Sequence, residues 1–261
     1  MKNDPNSIQV IQRLAKLLDV IASYDDAVSL KILSAETGLH PSTAFRILAS
    51  LVEQGFVERS NRGSYSLGVK LMQLGNRVTA SVDIRKIALP LIENLRNQLG
   101  ETVNLIVREG DEVVYIERSV AKRMIKVEQV IGSRAPLHVT AVGKLFLGVQ
   151  GASECRAYAK RTKLPAYTIN THTKITALVK DCLDSSARGF SYDDEEAEMG
   201  VGCIGTLIRD ASGNVVAGLS VSSPIERRRD EWITLVMETG LEISKQLGYH
   251  ATSSPFPEMN Q

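Results

Sequence analysis

The chain has 261 residues, 43% hydrophobic and 23% charged, with a net charge of +1, the balance of a soluble globular protein with room for two ordinary domains. No run approaches the roughly 18 apolar residues of a membrane span, and the start MKNDPNSIQV lacks a signal-peptide core, so no membrane partner and a cytoplasmic location are expected. The three cysteines, Cys155, Cys182 and Cys203, stand at no metal-ligand spacing and read as reduced thiols, with no cofactor or metal expected.

Ile11, Leu14, Leu18 and Ile21 recur at helical spacing, which predicts a first helix over residues 8–23 with Ser7 as its N-cap. Residues 24–28, with Asp25 and Asp26, read as a polar turn. Ser29 caps a second helix with Leu30, Leu33 and Ala35 as apolar positions and Gly38 as its stop. Pro41 suits the first turn of a third helix that runs to about Gln54 and ends at Gly55. Residues 56–59, 60–64 and 65–67 read as strand, turn and strand, the wing. An amphipathic helix follows over residues 68–81, where Val69, Leu71, Met72, Leu74 and Val78 form a stripe expected to cover a partner subunit or the first helix. A domain boundary is placed near Asp83.

The second part alternates. Residues 84–99 read as a helix stopped by Gly100, residues 102–108 and 112–117 as a hairpin about Gly110 and Asp111, and residues 124–130 as a further strand. Helices are expected over 139–149, 153–161 and 176–188. Strands are expected at 190–192, 201–209 and 215–222, the last two joined at Ser212, Gly213 and Asn214, and a closing helix over 225–247. Strands interleaved with helices on one sheet are an α+β pattern. Residues 253–261 read as a frayed tail.

The most informative stretch is residues 29–65, helix, turn, helix and wing, which is built to lay one helix in the DNA major groove. Net charge does not announce a nucleic-acid binder, yet residues 40–82 carry five basic side chains against two acidic ones. On the third helix Ala44, Ile47, Leu48 and Leu51 form a buried stripe, while Ser42, Thr43, Arg46 and Ser50 occupy the other side. Short hydroxyls suit phosphates or base edges, and an Arg can fork onto guanine. Arg59 and Arg62 of the wing and Lys31 of the second helix are candidates for flanking backbone. Any amphipathic helix shows a polar face with an Arg on it; the ordered combination of cap, Gly turn, Pro-Ser-Thr start and wing is what favours DNA.

In the second part, residues 134–144 are a Pro-containing loop entering a helix, and the backbone N–H groups near Ala141 and Val142 suit a carboxylate or phosphate. Ser220 and Ser222 share one face of an apolar strand and need either local backbone or a polar ligand. Cys203 in a strand is most often a small buried hydrophobe, and residues 193–196 are most often a solvated loop. An enzymatic reading would take Cys203 as nucleophile, His138 as base and Asp193 as orienter. No activating sequence surrounds Cys203, however, and an apolar strand raises a thiol pKa, so the chain is not expected to be an enzyme.

The segments GLHPSTAFRILASLVEQGFVE, Tyr65-x-Leu67-Gly68, PLHVTAVGK and GFSYDDEEAEMGVGCIGTLIRDASGNVVAGLSVSSP, in this order, resemble the IclR family of bacterial transcriptional regulators over roughly residues 8–247. The resemblance implies an α+β chain: a winged helix-turn-helix over residues 1–67, a linker helix over 68–82, a GAF-like effector domain (a mixed sheet with flanking helices) over 83–251, and a tail over 252–261. It also implies dimers or dimers of dimers, and hence a pseudo-palindromic double-stranded DNA operator. By similarity Ala141 and Val142 offer main-chain N–H groups to an effector, Asp193, Cys203, Ser220 and Ser222 supply polar contacts, and Met124, Val127 and Ala135 form an apolar wall. Ala135 is small where other members carry a larger aliphatic, which leaves room for a bulkier ligand or a different neighbour. The effector is expected to be a small organic acid, since a helix start with paired hydroxyls suits a carboxylate.

Overall fold

The computed structural model describes residues 8–81 and 83–250. The chain divides into two compact units, Met1–Val82 and Asp83–Gln261.

In the first unit α1 (Gln9–Ala22), α2 (Leu30–Thr37) and α3 (Pro41–Glu53) pack around Leu17, Leu33, Ala44, Leu48 and Leu51. Ser29 caps α2 by accepting from the Ile32 amide at 3.4 Å, Gly38 ends it at φ 69°, and Pro41 opens α3. Each device stands where its chemistry required it: a side-chain acceptor for an orphan amide, a left-handed stop, a residue with no N–H to lose. The wing pairs β2 (Val57–Arg59) with β3 (Ser64–Leu67). A strand of two residues, β1 (Val28–Ser29), adds to the far side of β3, so Val28 is strand and not part of the expected turn. Ala35 is exposed, whereas Ser34 and Thr37 are buried in its place. The helix α4 (Val69–Ser81) follows, with Val69, Met72 and Leu74 exposed, so the first helix does not cover them. Ser7, the Val78 side chain and the tail at 253–261 lie outside the described residues; α1 begins after Ile8, which makes no side-chain cap.

The second unit is one antiparallel sheet of six strands with a helical layer on each face. The strands β4 (Thr102–Glu109), β5 (Glu112–Ser119), β6 (Arg134–Pro136), β7 (Phe190–Asp194), β8 (Val201–Arg209) and β9 (Val215–Pro224) lie in the order β6-β5-β4-β9-β8-β7. One face packs Val103, Leu105, Ile204, Leu219 and Val221 against α5 (Ile84–Leu99) and α9 (Trp232–Gln246). The other face meets α6 (Ala141–Gly148), backed by α7 (Gly151–Thr162) and α8 (Ile175–Arg188) around Leu137, Phe146, Tyr158 and Leu178.

Three expectations need correction here. Residues 124–130 form no strand: the alternation of Lys126 and Glu128 with Ile125 and Val127 lies on an open connection, and Met124, Ile125 and Val130 are exposed. The strand on the other side of β5 from β4 is Arg134–Pro136, inside the stretch expected to be loop. The closing helix starts at Trp232 rather than near 225, because Pro224 and a single 3₁₀ turn at Ile225–Arg227 come first.

Candidate DNA-contact surface and effector site

On α3 the Pro41 start and the buried Ala44–Leu48–Leu51 stripe fix which side faces outward. Ser42, Arg46 and Ser50 are exposed and Thr43 is half-buried; Lys31 is exposed on α2, Arg59 on β2 and Arg62 in the wing turn. The Ser42 hydroxyl is 2.8 Å from His40 Nδ1, and the Ser50 hydroxyl donates to the Arg46 carbonyl at 3.3 Å. Arg59 lies over the Phe45 and Tyr65 rings, 5.7 Å from each centroid, which ties the wing to the helix by a cation–π contact. Phe45 is 42% exposed; no sequence pattern marks an aromatic on the polar side of a helix as part of the surface. Thr43, Arg46 and Ser50 also border a groove of about 420 Å³ whose other wall is Val10, Arg13 and Leu14 of α1.

In the second unit, strand register brings the polar residues together. Thr102, Ser222, Cys203 and Asp193 are cross-strand neighbours in one row, and Asn104, Ser220, Gly205 and Ser191 form the next row two residues along. A two-residue step keeps the same face, so both rows look toward α6. They are buried: Asp193 is 3% exposed, Ser220 4%, Ser222 1% and Asn104 0%. Ser222 Oγ accepts from Asn104 Nδ2 at 3.1 Å and from the Cys203 thiol at 3.2 Å, and Asn104 Oδ1 is buried without a partner. Asp193 Oδ1 accepts from the Glu196 amide at 2.8 Å and the Ala197 amide at 3.4 Å. Burial, opposed by those amides, pushes the Asp193 carboxyl up to about 7. Burial and the neighbouring Asp193 push the Cys203 thiol up, and burial with Cys203 and Asp193 raises the Tyr115 phenol.

The start of α6 lies directly over this face. A Cβ on Gly205 would sit 3.2 Å from the Val142 amide nitrogen, and one on Gly218 would sit 2.2 Å from Val142 Cγ1. Only glycine at both positions lets the helix end approach so closely. Thr140 Oγ1 accepts from the Gly143 amide at 3.2 Å, which leaves the first-turn amides of Ala141 and Val142 as the donors without an intrahelical partner. Ala135 is half-buried on β6 and Val127 half-buried on the open connection, but Met124 is 101% exposed and lines nothing here. That is a correction to the expected apolar wall.

The profile of the IclR helix-turn-helix domain matches residues 10–61, and that of the bacterial transcriptional regulator IclR C-terminal region matches residues 76–247. The chain belongs to the IclR family of bacterial transcriptional regulators. It is 30% identical over 248 residues to the transcriptional repressor IclR of Escherichia coli, covering 92% of this chain and 90% of that one. Among solved structures, the Agobacterium tumefaciens repressor BlcR superposes with a TM-score of 0.79 at 28% identity, covering 94% of this chain and all of that one. An IclR homolog from Microbacterium hydrocarbonoxydans, complexed with 4-hydroxybenzoate, is similar in fold with a TM-score of 0.60 at 24% identity, covering 91% and 98%. The family's members are DNA-binding regulators and not enzymes.

The local chemistry of this IclR-family member agrees with that. His138 has both ring nitrogens occupied, Nδ1 by the Tyr158 hydroxyl at 2.8 Å and Nε2 by the Pro165 carbonyl at 3.1 Å, and burial lowers its pKa. It is no base for Cys203, whose thiol donates to Ser222 instead. His172, Asp181 and Glu196 bring possible ligand atoms within 4.8 Å, but the buried Lys144 ammonium already binds both carboxylates, Asp181 at 2.7 Å and Glu196. Burial alone would depress Lys144, and the two carboxylates outweigh it and keep it charged. Lys144 thus pins α6 to the turn that supplies the Glu196 amide to Asp193. Cavities of about 280 and 340 Å³ border Leu145, Met237 and Tyr249, and His138, Tyr158 and Pro165; neither takes in Asp193, Cys203, Ser220 or Ser222. The sequence reading missed Asn104, Tyr115, Lys144 and Glu196. Only Lys144 and Glu196 fell inside stretches it had singled out.

Proposed function

We propose that this regulator binds a small organic acid in its C-terminal unit and that binding modulates operator recognition by the N-terminal unit. The observation that carries the reading is the α6 start: two first-turn amides set over a buried face of Asn104, Asp193, Cys203, Ser220 and Ser222. Amides at a helix start hold a carboxylate, and hydroxyls and an amide fix the rest of a small polar ligand. The carboxylic acid held by the Microbacterium homolog supports the same class of ligand. Residues 1–67 act as the winged helix-turn-helix, 68–82 as linker helix and 83–251 as GAF-like effector domain.

On the DNA side, Ser42, Thr43, Arg46 and Ser50 meet bases or phosphates from α3, and Lys31, Arg59 and Arg62 meet flanking backbone. The protein acts as a homodimer or dimer of dimers on a pseudo-palindromic operator, in the cytoplasm with the chromosome. The exposed Val69, Met72 and Leu74 of α4 support association through that helix. Calorimetry against a panel of metabolic carboxylates tests the effector: binding of at least one acid is expected, and tight binding of a neutral compound with none of the acids would sink the reading.

A further inference from the structure

The effector site contains an acid that a carboxylate ligand must confront. Asp193 is 3% exposed, and every charged or titratable group that faces it is either uncharged or engaged elsewhere. From β8 comes the Cys203 thiol and from β5 the Tyr115 phenol, both held in their neutral forms. From the turn after β7 comes Glu196, bound to Lys144 of α6, whose ammonium is shared with Asp181. From beyond β9 comes Arg228, whose guanidinium binds the Asp194 carboxylate and donates to the Asp193 main-chain carbonyl at 3.3 Å. Among the described residues no cation pairs with the Asp193 carboxyl, which accepts from the Glu196 and Ala197 amides and has the Cys203 thiol as a side-chain neighbour.

An anion held by the α6 amides in this site puts two carboxyl groups together under the same helix end. Two carboxylates in one buried site do not both stay ionised; one keeps a proton and donates it to the other. We propose that Asp193 meets a carboxylate effector as a neutral carboxylic acid, its O–H donating to a ligand oxygen, so that wherever Asp193 is ionised beforehand the anion is bound with uptake of one proton. This rests on the organic-acid reading above. The balance is simple: ionised Asp193, the effector anion and one proton from solvent give the hydrogen-bonded complex, and the Asp193 O–H is the one covalent bond that forms. Burial already pushes this carboxyl up to about 7, so the uptake falls in the physiological range. The ligand class follows as well. A carboxylate is accepted with a proton, whereas an amine would pair with Asp193 in its ionised form.

The test is calorimetry of the full-length protein with acetate, lactate, benzoate and 4-hydroxybenzoate, from pH 5.5 to 8.5, in buffers of low and high ionisation enthalpy. For an acid that binds, the expected result is uptake of close to one proton at pH 8 and little at pH 5.5, with affinity falling about tenfold per pH unit above the Asp193 pKa. Asp193→Asn should bind the same acid with an affinity flat in pH. Binding of an acid with no proton uptake at pH 8 would overturn this proposal and leave the organic-acid reading standing. Binding of benzylamine in preference to benzoate, or of none of the acids, would overturn both. The wild-type buffer comparison decides the matter without the variant, should Asp193→Asn fold poorly.

Discussion

Asp193→Asn should change how the protein's stability depends on pH. In the native state burial pushes this carboxyl from 3.8 up to about 7; unfolded, it titrates near the ordinary value. The sign follows. Between these two values the unfolded chain has lost the proton while the folded chain keeps it, so stability falls as pH rises. The contribution is fully present below about pH 4 and is lost by about pH 7, at about 1.4 kcal/mol per pH unit and about 4 kcal/mol in total as an upper bound. Asparagine has the same shape and cannot ionise. The difference in unfolding free energy, variant minus wild type, should therefore climb through this window by about 2–4 kcal/mol and level off above pH 7. Urea denaturation of both proteins at half-unit steps from pH 4.5 to 8 measures it. A difference that stays flat across the window means that Asp193 titrates normally, and the reasoning about its burial is then wrong.

Other substitutions probe other parts of the molecule. Arg46→Ala should cost about 1–3 kcal/mol of operator affinity and relax preference at one base position; binding assays on operator variants check this, and an equal loss on every sequence would make Arg46 a phosphate contact. Lys144→Met removes the ammonium that Asp181 and Glu196 share and should destabilise the protein by about 3–5 kcal/mol, read by urea denaturation. Adding Glu196→Gln should recover part of that loss, and no recovery would contradict the pairing. Gly218→Ala sets a methyl 2.2 Å from Val142 Cγ1 and should cost about 1–3 kcal/mol. Because it moves the α6 start, it should weaken acid binding more than operator binding, and equal losses would contradict that.

The first unit was legible because its signals are local. Ser29, Gly38 and Pro41 act within four residues of where they stand, and α2 and α3 begin and end as those residues require. The strand Val28–Ser29 escaped notice because two residues carry no periodicity, and only β3 makes them a strand. In the second unit, Val201–Arg209 was readable as a buried run between turn residues. Residues 124–130 alternate Lys126 and Glu128 with Ile125 and Val127, but alternation alone does not supply a partner strand, and this connection has none. The site followed the same division. Ser220 and Ser222 declared themselves by their two-residue spacing. Asn104 lies 118 residues from the Ser222 hydroxyl it bonds, and Lys144 lies 52 residues from Glu196; such pairings are made by register and packing, which no local pattern records. Met124 shows the converse case, a position carried over by resemblance that lies fully exposed in this chain.

Control of the DNA-binding unit by an organic acid held in the C-terminal unit would be a coupling between two sites, and such coupling is reciprocal. The direct measurement is operator affinity with and without a saturating organic acid, paired with the affinity for that acid with and without operator DNA. The two ratios should be equal and should differ from one by about 5- to 150-fold. An acid that binds the protein tightly and leaves operator affinity unchanged would contradict this coupling.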